Sequence, residues 1–148
     1  MKRVFLSLPM SGRTDEEIYK QIEEMKRWIL KSEFFGDEAV IFVHNMDCNP
    51  QGFAIVDDYE EHGITHRNVP AELRREPLLY LGAAIKKIAY CDCVFFGKGW
   101  KEARGCLIER EVACRYKIPM VICTSLAHLK KVKGMRDAYE EFVKGENK

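Results

Sequence analysis

The chain contains no run approaching the ~20 apolar residues that a membrane-spanning helix needs, which argues against a transmembrane helix. Its start, Met1-Lys2-Arg3-Val4-Phe5-Leu6, leads directly into polar sequence and does not read as a cleavable signal, so a cytoplasmic protein is expected. No sign of charge predominates: 24 basic residues face 23 acidic ones, for a net charge of +1. That balance supplies no long-range field to draw DNA, RNA or anionic lipid, and neither a nucleic acid polymer nor a membrane is expected as a partner. The six cysteines include no C-x-x-C pair, and Cys91-Asp92-Cys93 would alternate faces in a strand, so no metal is assigned. Both G-x-x-x-x-G-K-[ST] and G-x-G-x-x-G are missing, which disfavours a nucleoside triphosphatase or an ordinary dinucleotide enzyme, and no cofactor is expected. Repeats and linkers are missing too.

What is present is the composition of a folded chain, 47% apolar and 32% charged. A chain of 148 residues buries roughly two-thirds of the surface that its unfolded form exposes, so one domain spanning residues 1–148 is expected. Four short runs rich in β-branched and aromatic residues read as strands: Val4 to Leu8, Ala39 to Val43, Cys93 to Phe96 and Pro119 to Cys123. Between the first two, Ile18, Ile22, Met25 and Ile29 recur at helical spacing, and Thr14 with Glu17 has the pattern of a capping box. Leu78 to Tyr90 and Lys101 to Lys117 are further helical segments, the latter stopped by Ile118-Pro119. A weaker helical pattern covers Met135 to Val143, and the long stretch from Asn45 to Glu76 reads as a loop with a short helix near Ala71 to Arg74. Apolar strands alternating with helices predict an α/β fold: a three-layer sandwich on a mainly parallel sheet, flavodoxin-like or Rossmann-like. Cys91, Cys93, Cys106, Cys114 and Cys123 fall in apolar segments and are expected to be reduced, buried thiols.

Ligands of such sheets bind beyond the carboxyl ends of the strands. That rule selects Ser7 to Thr14, His44 to Met46, Gly97 to Gly105 and Thr124-Ser125. In the first segment Ser7, Met10, Ser11, Gly12 and Arg13 join a strand to a helix N-terminus, where backbone N–H groups and a guanidinium can hold a phosphate or a ribose hydroxyl. In the third, Glu109 falls at the centre of a helical arc with Gly105, Cys106, Val112, Ala113 and Tyr116. A carboxylate on an apolar arc needs a cation, hydrogen-bond donors or a polar pocket, because burying it alone is costly. A salt bridge to Arg13, or a shifted helix register that leaves Glu109 in water, would be a purely structural answer. Gly105, one turn earlier, leaves room for a ligand or a close strand. Trp100, just past a strand, either stacks on a nucleobase or covers the core.

The segment Trp100-x-x-Ala103-x-Gly105-Cys106-x-x-Glu109-x-x-x-Ala113 resembles the W-x-x-S-x-G-[AC]-x-x-E-x-x-x-A signature of the nucleoside 2-deoxyribosyltransferase-like superfamily, in particular its small, often phage-associated members. Pro77-Leu78-Leu79-Tyr80-Leu81-Gly82, Ile85, Cys91-Asp92 and Gly99-Trp100 keep that subgroup's spacing, and Ser7 to Gly12 is similar to its N-terminal loop. The resemblance implies Glu109 as a nucleophile that attacks the anomeric carbon of a nucleoside or nucleoside 5′-monophosphate, with transfer to another base or to water. It also implies a homo-oligomer. The chain departs from the pattern at Ala84, where an aspartate is common, and at Ala103, where the signature has serine. Those two losses support an alternative, a catalytically silent nucleotide-binding or interaction domain. Asp57, Asp58, Asp92 or Glu102 could substitute for the missing acid, although Asp92 is expected to begin a strand.

Overall fold

The computed structural model describes residues 1–47, 76–132, 134 and 138. Four strands, β1 (Lys2–Ser7), β2 (Val40–His44), β3 (Cys93–Gly97) and β4 (Met120–Cys123), form one sheet in the order β2-β1-β3-β4. Every pairing is parallel. Helices α1 (Asp15–Lys31), α2 (Glu76–Ile88), α3 (Arg104–Arg115) and α4 (Leu126–Lys131) complete an α/β three-layer arrangement of the flavodoxin or Rossmann type. No described helix is long and apolar enough to cross a membrane.

Alternation along the strands divides the core into two layers. Val4, Leu6, Leu8, Cys93, Phe95, Val121 and Cys123 pack with Ile18, Ile22, Met25 and Ile29 of α1 and Leu129 of α4. Phe5, Val94, Phe96 and Met120 pack on the other face with Ala84 and Ile88 of α2 and Cys106 and Ala113 of α3. Such a doubly covered sheet explains why the buried stretches Val4 to Leu6 of β1 and Cys93 to Phe96 of β3 are continuously apolar instead of alternating with polar residues.

The helix ends follow the side chains available. Thr14 Oγ1 accepts the Glu17 N–H at 3.2 Å and also donates to Glu17 Oε1 at 3.2 Å, while three acidic residues occupy the positive first turn of α1. The expected helix from Lys101 to Lys117 is interrupted. Trp100–Glu102 forms a 3-10 turn, Ala103 is extended, and α3 starts only at Arg104, with Ala103 as an N-cap that has no side-chain oxygen to offer. The α3 terminus is closed by Ile118 N–H on Ala113 O (2.8 Å) and Lys117 N–H on Cys114 O (3.2 Å), with Lys117 at φ 58 in the position usually taken by glycine. Helix α3 therefore ends before Tyr116, which is 78% exposed and leaves the arc assigned to it by periodicity. Cys114 is also exposed, on the outer side of α3, whereas Cys93, Cys106 and Cys123 are buried and Cys91 half-buried. The expected helices near Ala71 to Arg74 and over Met135 to Val143 lie outside the described residues, apart from Ala138, which is helical and buried.

Candidate functional site

The strand order reverses at β1, because the chain passes from β1 to β2 on one side and then to β3 on the other. The carboxyl ends of β1 and β3 thus flank the crevice where sheets of this topology bind ligands. Ser7 ends β1. Since Val4, Leu6 and Leu8 face α1 and Phe5 faces α2 and α3, period-two alternation turns Ser7 toward α3. Leu6 is in register with His44, so Asn45, one residue past β2, stands beside Ser7 at the same edge. His44 turns the other way, buried and in edge contact with Tyr19 of α1, ring centroids 6.3 Å apart.

Cys106, Glu109 and Ala113 are the buried residues of α3, spaced three and four apart along the face that meets the sheet. Glu109 is 2% exposed. Its Oε2 accepts a hydrogen bond from Ser7 Oγ at 2.9 Å, and its Oε1 accepts one from Asn45 Nδ2 at 3.4 Å. Among the described residues no Lys, Arg or His forms an ion pair with it. Neither purely structural answer holds within those residues: the carboxylate is not solvated, and Arg13 is engaged elsewhere. Burial pushes the Glu109 carboxyl from 4.5 up to about 7, against the opposing pull of the hydrogen bonds from Ser7 and Asn45. The Cys106 thiol beside it is pushed by burial to about 12, with the Ser7 hydrogen bond opposing and the Glu109 charge adding to the rise. Cys106 is therefore an inert neighbour and Glu109 the titratable group.

The loop after β1 is held by its own arginine. Arg13 Nη1 donates to Pro9 O and to Gln21 Oε1, both at 2.6 Å, and Nη2 donates to Glu17 O at 3.2 Å. Gln21 in turn donates from Nε2 to Lys98 O at 3.0 Å, tying this loop and α1 to the loop after β3. Two glycines permit that closeness. A Cβ at Gly97 would lie 2.7 Å from Met25 Sδ and 2.8 Å from Gln21 Nε2, and one at Gly99, already at φ 88, would lie 3.0 Å from Pro9 Cγ.

Ser11 and Gly12 are exposed at the turn, with Gly12 at φ 74, while Met10 is half-buried against the α1 layer. Trp100 is 7% exposed and packs on Phe96, ring centroids 5.2 Å apart, with Lys101 Nζ 5.7 Å from its ring. The indole thus covers the core, the packing role of the two considered. A Cβ at Gly105 would meet nothing within 4 Å, so space is open there. Ala84 is fully buried and Ala103 packs against the same layer, so both fill apolar space. Asp92 lies at the amino edge of β3, where its Oδ2 accepts the Arg3 N–H at 2.7 Å, at the opposite end of the strands from Glu109. Asp57 and Asp58 lie outside the described residues. Asn45 and Gln21 are the participants that sequence reasoning did not single out. The strand-end rule had selected the segment containing Asn45, but only strand register shows that it reaches Glu109.

Among the described residues no group of three or more His, Cys, Asp or Glu side chains is placed to hold a metal ion. What the site offers is a desolvated carboxylate oriented by two neutral donors, suited to nucleophilic or acid–base chemistry near neutral pH. Comparison with family models, curated proteins and solved structures returned no match.

Proposed function

We propose that the protein acts in the cytoplasm on a nucleoside or nucleoside 5′-monophosphate, transferring its glycosyl group or hydrolysing its N-glycosidic bond, with Glu109 as nucleophile. The observation that carries this reading is Glu109 itself: buried to 2% exposure at the crevice edge, held by Ser7 and Asn45, and balanced by no cation among the described residues. The similarity of the Trp100 to Ala113 segment to the deoxyribosyltransferase-like signature supplies the substrate class.

In the first step a Glu109 carboxylate oxygen bonds to the anomeric carbon as the carbon–nitrogen bond to the base breaks, and the base departs with that electron pair and takes up a proton. In the second, an acceptor base or water attacks the same carbon and the carboxylate leaves, so configuration is retained overall. Oε1 carries the longer hydrogen bond, 3.4 Å against 2.9 Å, and is the less stabilised, more nucleophilic oxygen. A raised carboxyl also means a more basic, stronger nucleophile once ionised, so the rate should climb with pH through about 7.

A second reading, a nucleotide binder without turnover, is favoured by Arg13 spending its Nη1 donors on Pro9 and Gln21 and by the apolar surroundings of Ala84 and Ala103. Release of free base from ribo- and deoxyribonucleosides and their 5′-monophosphates, with and without acceptor base, separates the two. Turnover that falls at least about 1,000-fold in Glu109→Ala supports the nucleophile. Turnover unchanged in that variant would remove Glu109 from the chemistry, and nucleotide binding without any turnover would establish the second reading.

A further inference from the structure

Ser7 stands to Glu109 as a hydroxyl stands to its base. Ser7 Oγ donates to Glu109 Oε2 at 2.9 Å, within the reach that proton transfer requires, and Asn45 Nδ2 approaches the other oxygen at 3.4 Å and orients the carboxyl group. Ser7 is 1% and Glu109 2% exposed, so little water competes for either group. Burial also raises the Glu109 carboxyl to about 7, which makes its ionised form a stronger base than an ordinary carboxylate. Two further features lie at the same place. Helical side chains lean toward the N-terminus of their helix, so the Glu109 carboxyl lies over the turn containing Gly105, a half-buried position with nothing within 4 Å of an ideal Cβ. The first bond of the α3 ladder runs from Leu107 N–H to Ala103 O at 3.0 Å, and Ala103 offers no capping side chain. The N–H groups of Gly105 and Cys106 therefore have no acceptor in their own helix.

We propose that Ser7 is the nucleophile of an acyl-transfer site that takes a small, neutral carboxylic ester, with Glu109 as its base and Asn45 as a positioning residue. The ester is small because the space open to it lies over one glycine, and neutral because the carboxylate beside Ser7 repels an anionic acyl group. Ser7 Oγ bonds to the acyl carbon while its proton passes to Glu109 Oε2, and the oxyanion so formed accepts from the N–H groups at the start of α3. The carbon–oxygen bond to the alcohol then breaks, and the alcohol leaves with the proton that Glu109 returns. Water attacks the acyl-serine by the same route, its proton going to Glu109 and then to Ser7, which frees the carboxylic acid. This activity does not depend on the glycosyl chemistry: there Glu109 forms the covalent bond, here it carries the proton.

The full chain treated with p-nitrophenyl acetate should release nitrophenolate and gain an acetyl group on Ser7, located by peptide mass spectrometry. A small alkyl fluorophosphonate should label the same residue. Ser7→Ala should lose the adduct. Glu109→Gln keeps the shape of the pair but cannot take the proton, so acylation of Ser7 should fall by about 100-fold or more. In the wild type the rate should rise with pH through about 7, as Glu109 ionises. Adducts found only on lysines or on Cys114, a Ser7 adduct that forms as fast in Glu109→Gln, or no Ser7 adduct with either reagent would each overturn the proposed site. A wild type that releases nucleobase yet leaves Ser7 unlabelled would remove the acyl site alone, whereas one that acylates Ser7 and releases no base would uphold it and remove the glycosyl reading alone.

Discussion

Replacing Glu109 by glutamine should stabilise the protein, and only above a definable pH. In the folded chain the carboxyl titrates at about 7, against 4.5 for the unperturbed group. The folded state therefore holds a proton that the unfolded state has released between those values, and by linkage stability falls as pH rises through the interval. Each tenfold step in proton activity is worth about 1.4 kcal/mol, so the carboxylate costs folding about 3 kcal/mol above pH ~7.5 and almost nothing below pH ~4.5. Glutamine keeps the shape and the Ser7 hydrogen bond, since its carbonyl can replace Oε2, and Asn45 can turn its own carbonyl toward the new amide. Urea unfolding of wild type and Glu109→Gln between pH 4.5 and 8.5 should show the variant gaining about 2–3 kcal/mol at the alkaline end, with the curves converging at the acid end. A difference that does not vary with pH would mean that the carboxylate is not desolvated, and with it would go the main ground for calling the position reactive.

Two further changes probe the supports of the site. Ser7→Ala removes the donor that pulls the Glu109 carboxyl downward, so NMR titration should find it displaced further above 7, with about 1.5–3 kcal/mol lost from stability at pH 8; an unmoved midpoint would contradict the 2.9 Å hydrogen bond. Gly97→Ala should destabilise by about 1–3 kcal/mol, because the new methyl meets Met25 Sδ at 2.7 Å and displaces Gln21 from Lys98. Gly105→Ala, with nothing within 4 Å of its Cβ, should instead gain up to about 1 kcal/mol of helix propensity. Equal melting temperatures for the two alanine variants would refute the packing argument.

Most of the fold was legible because parallel strands covered on both faces leave near-continuous apolar runs, and each expected strand lies within about a residue or two of the observed one. Periodicity placed Ile18, Ile22, Met25 and Ile29 on the buried face of α1 and put Glu109 on the inner face of α3. What failed was local. Ala103 interrupts the expected helix because an uncapped start is decided by the path of the backbone and not by spacing, and Tyr116 was assigned to a turn that α3 never makes. Arg13 is a cation beside a helix N-terminus in the sequence, but Pro9 and Gln21 lie within reach in the folded loop and take its donors. Asn45 was hidden for the opposite reason: its meeting with Glu109, 64 residues away, depends on β1–β2 register, which no local pattern encodes.

The choice of partners around Glu109 also bears on why a carboxylate occupies that position. A buried Arg or Lys beside it would hold the carboxyl below its ordinary range and lower its basicity, giving a stable but weakly nucleophilic ion. Ser7 and Asn45 are neutral donors: they fix the direction of both oxygens, at 2.9 and 3.4 Å, yet leave desolvation dominant. If the position served packing alone, glutamine would make the same contacts without a cost of about 3 kcal/mol at neutral pH. A domain with only about 5–15 kcal/mol of net stability sustains a deficit of that size most readily where the charge itself is used. The pH-dependent gain expected for Glu109→Gln and the loss of base release expected for Glu109→Ala are thus two measurements of one property, the desolvation of a carboxylate buried against Ser7 and Asn45 at the carboxyl ends of β1 and β2.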